Sequence, residues 1–338
     1  MSQDLTEGFV CSNLSDDLSG LSFKEIKLSE ISESFVKINI KAASLNFPDL
    51  LMSQGKYQNK PELPFALGME GSGVISEIGS KVETYKVGDE VMFGGWGHGA
   101  IAKSIVVAES MISPKPEAYS FEEAAAFKTA YLTAYVGLIR RGQLQRGETL
   151  LVHGASGGVG MAAVQLGKLY GAKVIATGTS DEKLEVVKSW GADEVLNIYE
   201  NEKVNFKDRV KDLTNGMGAD VIYDPVGGEV FDQSIRCINW GGRLLIIGFA
   251  GGIIPTLPVN YPLIKGFSVV GVRAGEFGRK DPILGKENID IINSLADDNK
   301  IRPHICKVFD YKESKQALEY LENRRLIGKV VILSLIHI

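Results

Sequence analysis

The stretch that most constrains the fold of this chain is a short apolar run that ends in a glycine-rich turn. Residues 150–152 are apolar, and residues 161–169 carry apolar side chains at helical spacing, which predicts a strand, a tight turn and a helix. Small residues at 155, 157 and 160 give a dinucleotide fingerprint with Ala in place of the first Gly. They let the backbone approach a pyrophosphate, whose charge the N-terminus of the next helix stabilises. The predicted cofactor-binding residues here are Ala155, Ser156, Gly157, Gly158, Val159 and Gly160.

The residues after the turn favour nucleotide binding over the alternative, a turn that serves only close packing. A second apolar strand at 172–177 completes a strand–helix–strand unit of about 30 residues. An NAD-specific unit would place Asp or Glu near the end of this strand, where the sequence has Gly178. Without that carboxylate a 2′-phosphate is not repelled, and the Ser180 hydroxyl and Lys183 ammonium suit a phosphate, so the sequence predicts NADP(H). Alternatively, Ser180 only caps the next helix and Lys183 is a solvated residue of its first turn.

Strands and helices continue to alternate after this unit, which predicts a doubly wound parallel sheet. The predicted strands lie at 150–152, 172–177, 194–197, 219–224, 243–248 and 267–272, and the predicted helices at 161–169, 181–190, 203–214, 228–238, 287–298 and 312–323. Before residue 120, alternating apolar residues at 35–42 and many turn-forming glycines and prolines predict a β-rich domain. Ser120 and Glu123 form a predicted capping box that opens an interrupted helical stretch. We expect a nucleotide-binding domain at 125–272 and a second domain formed by 1–124 and 273–338.

Net charge and cysteine usage limit the classes of function. The formal net charge is −5, which does not favour a nucleic-acid-binding surface. The three cysteines are odd in number and far apart, which fits a reducing compartment and no disulfide framework. The N-terminus shows no basic and apolar leader, and no stretch approaches the ~18 apolar residues of a membrane span. We expect a cytoplasmic protein that takes a small-molecule substrate and has no membrane partner.

Six short segments spread over the chain carry recognisable motifs. They are Asn46-Phe47-Pro48-Asp49, Leu67–Gly73, Val87–Val91, His153–Gly160, Tyr223–Gly228 and Gly328–Val331. Over essentially the whole chain they resemble the medium-chain dehydrogenase/reductase superfamily, and within it the zinc-free quinone oxidoreductase branch that includes zeta-crystallin-like proteins. The resemblance implies an α/β fold, in which a GroES-like catalytic domain accompanies a Rossmann domain with a six-stranded, doubly wound parallel sheet. It also implies a homodimer, in which the edge strand at 267–272 pairs with its two-fold mate.

The zinc ligands of the superfamily are replaced in this chain. Zinc alcohol dehydrogenases have Cys where this chain has Asn46, and Gly-His-Glu where it has Gly68-Met69-Glu70. Asn and Met are poor ligands for zinc. The lobe with four clustered cysteines is also missing, and no histidine pairs with a cysteine at ligand spacing among His98, His153, His304 and His337. We therefore expect no metal site.

The resemblance also assigns residues to the active site. They are Asn46, Tyr57, Thr133, Gly248, Phe249 and Ala250. Asn46 would bond the substrate or the nicotinamide carboxamide, Tyr57 would donate to a substrate carbonyl, and the others would line the nicotinamide end. Structural alternatives stay open, namely an Asx turn at Asn46, a packing role for Tyr57, a helix-bonded hydroxyl at Thr133 and a plain loop at 248–250. Asp49 either orients Tyr57 or caps a helix.

The implied chemistry is hydride transfer from NADPH without a metal ion. Direct reduction of a simple ketone benefits from a Lewis acid, whereas a quinone or the activated C=C of an enone or enal needs less assistance. Hydrogen-bond donors would hold the developing enolate before solvent or a tyrosine supplies the proton. We expect a quinone or enone reductase. The alternatives are an enoyl-thioester reductase and, from another class, an NADPH-binding structural or RNA-binding protein of the zeta-crystallin type.

Two positions depart from the branch. Leu51 stands where some quinone reductases have a second tyrosine, which weakens the expectation of benzoquinone-type substrates. Ile198 replaces a tyrosine that packs on the 2′-phosphate. The preference for NADPH therefore depends mainly on Gly178, Ser180 and Lys183.

Overall fold

The fold divides into two compact units. The computed structural model describes residues 4–94, 99–200 and 203–334. The first unit comprises Met1–Thr129 and Arg302–Ile338, and the second comprises Ala130–Ile301. Both boundaries fall later in the chain than the predicted 124/125 and 272/273. Residues 273–301 pack within the second unit, where Arg140 Nε donates to Asn288 Oδ1 at 2.7 Å. The expectations for His98 and His337 lie outside the described residues.

The strands and helices are numbered in chain order. The strands are β1 (Leu5–Cys11), β2 (Leu21–Lys27), β3 (Phe35–Ser44), β4 (Phe65–Ala66), β5 (Glu70–Ile78), β6 (Glu90–Gly94), β7 (Ser104–Ala108), β8 (Ile112–Pro114), β9 (Thr149–Val152), β10 (Lys173–Gly178), β11 (Glu194–Asn197), β12 (Tyr199–Glu200), β13 (Lys203–Val204), β14 (Ala219–Asp224), β15 (Ile238–Ile246), β16 (Ser268–Gly271), β17 (Ile305–Asp310) and β18 (Lys329–Leu333). The α-helices are α1 (Phe47–Ser53), α2 (Phe121–Ala125), α3 (Lys128–Tyr135), α4 (Gly158–Leu169), α5 (Asp181–Ser189), α6 (Lys207–Leu213), α7 (Gly228–Cys237), α8 (Asn260–Lys265), α9 (Ala274–Lys280), α10 (Pro282–Asp297) and α11 (Ser314–Glu322). Glu109–Met111 and Tyr311–Glu313 are 3-10 turns, and Val136–Arg141 is π-helical. No helix in the described ranges combines the length and apolar character needed to cross a bilayer.

The first unit is built on a seven-stranded, mainly antiparallel sheet. Six of its strands follow the order β17-β18-β3-β5-β6-β8, and β7 also pairs with β3. In β3 the side chains of Val36, Ile38 and Ile40 are buried between more exposed neighbours, which confirms the predicted alternating strand. Strand β18 is antiparallel to β3, so the chain returns to this sheet after the second unit. A smaller sheet has the order β2-β1-β4.

The second unit contains a six-stranded sheet in which all neighbouring strands are parallel. The order is β11-β10-β9-β14-β15-β16, so the chain builds outward from β9 in one direction and from β14 in the other. This confirms the predicted doubly wound Rossmann sheet. Leu151, Ile175 and Ile222 are completely buried in its core, as expected for strands covered on both faces. The strand order reverses between β9 and β14, the point at which such sheets bind ligands.

Three predicted element boundaries are wrong. Residues 203–204 form β13, which pairs antiparallel with β12, so α6 begins at Lys207. Helix α10 begins at Pro282 instead of residue 287, because the Asp281 side chain caps it by accepting from Leu284 N at 3.0 Å. Strand β15 spans 238–246 instead of 243–248, since the glycine pair at 241–242, a typical turn signal, lies within the strand.

The predicted capping box at Ser120 is present. Ser120 N donates to Glu123 Oε2 at 2.9 Å, and Glu123 N donates to Ser120 Oγ at 3.3 Å. The helical stretch is interrupted after α2 and continues through α3 into the π-helical turn, which confirms the predicted interrupted stretch.

Candidate functional site

The glycine-rich turn connects β9 to α4 at the carboxyl edge of the parallel sheet. Gly157 N donates to Gly154 O at 2.9 Å, and Ala155 N donates to Thr177 O at 3.0 Å. A Cβ on Gly160 would lie only 2.4 Å from Gly154 O and 2.7 Å from the Cα of Ala155. Gly160 is therefore required for the close approach of the turn to α4.

The outer part of the same turn fits a dinucleotide. Ser156, Gly157, Gly158 and Val159 are half-exposed, whereas Ala155 and Gly160 are buried. A Cβ on Gly157 would meet only Gly154 O, at 3.4 Å, so the space beside this backbone is otherwise open. The first N–H groups of the 12-residue α4 have no partners within the helix and lie at this exposed edge. These residues can hold a pyrophosphate; whether they do so stays a prediction.

The end of β10 shows the capping role of Ser180. Its Oγ accepts from Lys183 N at 3.4 Å and so caps α5. A Cβ on Gly178 would lie 3.2 Å from Leu184 Cδ2, so the small residue also lets α5 pack closely against the strand. Asp181 Oδ1 accepts from Asn197 Nδ2 at 3.0 Å. A phosphate contact by Ser180 and Lys183 stays a prediction.

Residues 248–250 follow β15 and are held against the loop that follows β14. Ile247 N donates to Asp224 O and Ala250 N donates to Pro225 O, both at 2.9 Å. Phe249 is 38% exposed, and Gly248 and Ala250 are half-exposed. This segment therefore presents accessible backbone at the carboxyl edge of the sheet. Thr133 lies half-buried on α3, and its contact with the nicotinamide stays a prediction.

Asp224 organises the same edge and was not singled out from the sequence. Its Oδ1 accepts from Val226 N at 2.8 Å and from Gly227 N at 3.0 Å, while its buried Oδ2 has no hydrogen-bond partner. Burial raises the pKa of this carboxyl. The residue therefore shapes the loop beside 248–250 at an electrostatic cost.

In the first unit, Asn46 is the N-cap of α1 and is 8% exposed. Its side-chain Nδ2 donates to Glu70 Oε1 at 2.9 Å. Its Oδ1 accepts from Lys329 Nζ at 2.7 Å. The side chain is thus held by two charged residues, and it also takes part in the capping box that Asn46 and Asp49 form at the start of α1, so the capping alternative is present as well.

Glu70 and Lys329 form a buried ion pair around Asn46. Lys329 Nζ donates to Glu70 Oε1 at 2.9 Å and to Leu45 O at 3.0 Å. Glu70 Oε2 accepts from Thr129 N, in the first turn of α3, at 2.8 Å. Glu70 is completely buried and Lys329 is 5% exposed. The pair is well hydrogen-bonded, as a buried ion pair must be.

Two further buried ionisable groups lie in the first unit. Asp49 Oδ2 accepts from Asn46 N at 2.8 Å, and its Oδ1 accepts from Gly68 N at 3.1 Å. Asp49 thus caps α1. Burial raises the pKa of this carboxyl to about 7. Burial also lowers the pKa of Lys128, whose Nζ donates to Met111 O at 2.9 Å, to about 8.

Tyr57 lies just beyond the end of α1, in an irregular segment. Its ring is half-buried and packs against the core of the first unit. Asn46 and Tyr57 thus flank the same short helix. The packing role is present, and donation by the hydroxyl to a substrate stays a prediction.

His153 is a core residue at the start of the glycine-rich turn. Its Nδ1 and Nε2 lie 2.8 Å from Thr177 Oγ1 and Ser234 Oγ, respectively. Ser234 Oγ donates to Val230 O at 2.7 Å, so it accepts from Nε2–H, and Nδ1 accepts from Thr177. Burial lowers the pKa of His153 to about 3, so the ring is neutral. It supports β9 and is no metal ligand.

Sequence comparisons agree with this architecture. Residues 32–117 match the family described as "Alcohol dehydrogenase GroES-like domain", and residues 158–284 match "Zinc-binding dehydrogenase". A relative from Nematostella vectensis, Quinone oxidoreductase-like protein 2 homolog, is 40% identical over 304 residues, which span 89% of this chain and 82% of the relative. The chain belongs to the quinone oxidoreductase-like group of the medium-chain dehydrogenase/reductase superfamily.

Solved structures place this medium-chain dehydrogenase/reductase among oxidoreductases. The Escherichia coli quinone oxidoreductase complexed with NADPH has a TM-score of 0.87 and 26% identity, covering 98% of this chain and 100% of that chain. CurK enoyl reductase has a TM-score of 0.86 and 28% identity, covering 97% and 99%. The GroES-like and Rossmann architecture expected from the sequence is therefore confirmed.

The residues at the zinc positions of this superfamily do not fit a zinc ion. Asn46 supplies an amide, Met69 a thioether, and both Glu70 oxygens already accept hydrogen bonds. The Lys329 ammonium, 2.7 Å from Asn46 Oδ1, would repel a dication placed there. Within the described ranges, no group of three or more His, Cys, Asp or Glu residues is arranged to hold a metal ion. We assign no step to zinc.

Glu70 and Lys329 both lie in motifs of the sequence, but the sequence did not predict that they pair with each other. Each had a weak signal, since a charged residue stands beside glycine at the start of an apolar strand. Strands β5 and β18 both pair with β3, which brings the two side chains together. Nothing local in the sequence specifies that arrangement.

Proposed function

We propose that this protein is an NADPH-dependent, metal-free oxidoreductase that transfers hydride to a quinone or to the activated C=C of an α,β-unsaturated carbonyl compound. The observation that carries the proposal is the half-exposed turn Ser156–Val159 at the N-terminus of α4. It offers backbone N–H groups to a pyrophosphate where the parallel sheet reverses its order. The complex of the similar E. coli enzyme with NADPH supports the choice of cofactor.

The preference for the extra phosphate is supported by the end of β10. Gly178 supplies no carboxylate against a 2′-phosphate, and Ser180 and Lys183 stand at the start of α5. The Ser180 hydroxyl proton remains available to a phosphate while its oxygen caps the helix. NADP(H) is therefore the proposed cofactor, and bound NADPH would supply the hydride.

The acceptor class is supported by the polar groups of the first unit. Asn46 retains one side-chain N–H beyond the bond that it donates to Glu70. Such a donor can stabilise the oxygen of an enolate or a reduced quinone, which needs less help than an alkoxide formed from a ketone. Tyr57 is the proposed second donor to the substrate carbonyl.

The test is an NADPH-consumption panel over quinones, enals, enones and enoyl thioesters, with NADH in parallel and a chelator control. We expect turnover of at least one quinone or enone, faster with NADPH than with NADH and unchanged by the chelator. Calorimetry that detects no NADPH binding, or turnover that requires stoichiometric zinc, would overturn the proposal.

An enoyl-thioester reductase is the second candidate, favoured by the likeness to CurK enoyl reductase. The same panel separates the two functions. A crotonyl thioester reduced with a kcat/KM well above that of every quinone and free enone would select the second candidate. The reverse ranking would select the first.

A further inference from the structure

Asn46, Glu70 and Lys329 form a closed triangle of hydrogen bonds. Lys329 Nζ donates to Asn46 Oδ1 at 2.7 Å, Asn46 Nδ2 donates to Glu70 Oε1 at 2.9 Å, and Lys329 Nζ donates to that same Oε1 at 2.9 Å. We propose that Lys329 and Glu70 are positioning residues that lock the Asn46 carboxamide in one orientation for hydride transfer. The inference rests on the proposed function for its catalytic consequence.

The triangle defines which end of the amide is which. Oxygen and nitrogen of an Asn side chain are normally distinguished only by their partners. Here one partner, the lysine ammonium, can only donate, and the other, a carboxylate whose two oxygens both accept, can only accept. A rotation of the amide by half a turn would place N–H against ammonium and oxygen against carboxylate. Only one orientation is compatible with the two charges.

Lys329 acts through Asn46 because its own donors are already used. Its three N–H bonds go to Leu45 O, Asn46 Oδ1 and Glu70 Oε1. It is 5% exposed, so it cannot reach a substrate without losing one of these bonds. Glu70 is equally committed, with Oε1 shared by two donors and Oε2 bound to Thr129 N. Asn46 is 8% exposed, and its Nδ2 has a second N–H beyond the bond to Glu70.

The support beneath the triangle is rigid. Glu70 and Lys329 each begin a strand, β5 and β18, and both strands pair with β3, which ends at Ser44. Leu45 N donates to Val330 O at 3.1 Å, and Ser44 Oγ donates to the same oxygen at 3.2 Å. These bonds fix the backbone just after the lysine and just before Asn46. A polar group held in this way presents its remaining N–H in one fixed direction.

The locked direction has a chemical consequence. When hydride reaches a quinone or an enone, negative charge grows on the substrate oxygen, and a donor must already point at it. If the orientation were lost, Asn46 would for part of the time turn its side-chain oxygen, instead of its N–H, toward the substrate oxygen. That oxygen would repel the negative charge that grows there. The expected penalty is on the rate of hydride transfer and not on nucleotide affinity, which the second unit supplies.

The kinetic test uses the variant Glu70→Gln/Lys329→Met, which removes both charges together and avoids leaving one buried ion unpaired. Gln at 70 can bond either end of the Asn46 amide, so the two charges no longer fix its orientation. We expect kcat to fall about 10- to 100-fold while the dissociation constant for NADPH changes less than about twofold. The single variant Lys329→Arg keeps a donor-only cation beside Asn46, and its kcat should lie much closer to the wild-type value than that of the double variant. Arg302→Met is the matched control. It breaks the Glu123 ion pair of the same unit, away from Asn46, and should keep kcat.

A second readout needs no substrate. The side-chain ¹⁵N–¹H₂ signals of Asn46, identified by their loss in Asn46→Ala, should exchange slowly with solvent in the wild type. In the double variant we expect exchange at least about 10-fold faster, while Arg302→Met leaves it unchanged. An unchanged Asn46 signal, or a folded double variant with wild-type kcat, overturns the inference. If the wild type reduces no acceptor but the Asn46 signal responds as expected, the proposed reaction fails while the orienting role stands.

Discussion

Asp49 Oδ1 accepts a hydrogen bond from the backbone N–H of Gly68 at 3.1 Å, and this contact ties the first turn of α1 to the residue pair that leads into β5. Its other oxygen holds Asn46 N at 2.8 Å. Gly68 itself has φ of 102°, and a Cβ there would lie 2.6 Å from Ile101 N, so only glycine fits this turn. A single buried carboxyl thus connects the start of α1, with Asn46, to the turn before β5.

Replacement of Asp49 by Asn should change how stability depends on pH. Burial raises the pKa of Asp49 to about 7, so between about pH 4 and pH 7 the folded protein keeps a proton that the unfolded chain releases. The free energy of unfolding contributed by this group therefore falls as the pH rises through that window. Asp49→Asn should remove this slope and cost ~1–3 kcal/mol, because its amide NH₂ faces a backbone donor. Urea unfolding at several pH values measures both effects, and equal slopes in the two proteins would refute the assignment.

His153→Gln should remove a pH dependence of the opposite sign. Burial lowers the pKa of His153 to about 3, so between about pH 3 and pH 6.5 only the unfolded chain binds this proton. The contribution of His153 to stability is complete above that window and is lost as the pH falls through it. The variant should lose stability less steeply between pH 6.5 and 4. Nitrogen NMR of the wild type should show the proton on Nε2, and a proton on Nδ1 would contradict the hydrogen-bond directions.

Two glycine variants separate packing from nucleotide binding in the turn after β9. Gly160→Ala forces a Cβ to 2.4 Å from Gly154 O and should destabilise the protein by ~1–3 kcal/mol. Gly157→Ala meets only Gly154 O at 3.4 Å, so its stability should stay within ~1 kcal/mol of the wild type. Its Cβ occupies the proposed pyrophosphate space, and the dissociation constant for NADPH should rise at least about 10-fold. Calorimetry measures this dissociation constant. If the Gly157→Ala variant is stable and binds NADPH as tightly as the wild type, the turn serves packing alone.

Substitutions at Ser180 test the choice between NADPH and NADH. Ser180→Asp keeps a side-chain oxygen that can cap α5, but adds a negative charge beside the proposed 2′-phosphate. NADPH affinity should fall about 10-fold or more while NADH affinity is kept or improves. Ser180→Asn is the matched control, since it caps the helix without the charge. Parallel titrations with both nucleotides provide the measurement, and an equal response of the two would remove Ser180 from the specificity site.

The exposed edge of the six-stranded sheet predicts a homodimer. Strand β16 ends the sheet, and α8, which contacts β15, exposes Leu263 by 80% and Ile264 by 69%. An unprotected edge beside apolar side chains favours pairing with a second copy. Val269→Lys on β16 should raise the dimer dissociation constant at least about 10-fold, whereas Val308→Lys on β17, also a sheet edge, should not. Sedimentation velocity distinguishes these outcomes, and a monomeric wild type in dilute solution would contradict the dimer.

The parallel sheet was predictable because its information is local. Leu150–Val152 and Val174–Ala176 are uninterrupted apolar runs, and each ends at small or polar residues that mark its carboxyl end. The errors occurred where a local signal had two meanings. Gly241 and Gly242 resemble a turn but lie within β15, and the Asp-Pro pair at 281–282 starts α10 ahead of its apolar pattern.

The surroundings of Asn46 were not predictable for a different reason. The resemblance indicated Asn46, but its partners are separated from it by 24 residues at Glu70 and 283 residues at Lys329. A charged residue at the start of an apolar strand usually faces solvent. Only the pairing of β3 with both β5 and β18 turns these two charges into one buried cluster. At Ser180 the difficulty is a different one. Its bond to the backbone of α5 explains a capping role but does not indicate whether the residue selects NADPH or NADH.

The order of chain segments has a consequence for biosynthesis. The ribosome makes β5 early and β18 only after every strand of the parallel sheet has been translated. Until that moment the nascent chain carries Glu70 without its counter-ion. The Asn46 carboxamide then lacks the lysine that fixes its orientation. A chain arrested before residue 329 would therefore contain every strand of the parallel sheet but lack the lysine that orients the Asn46 carboxamide.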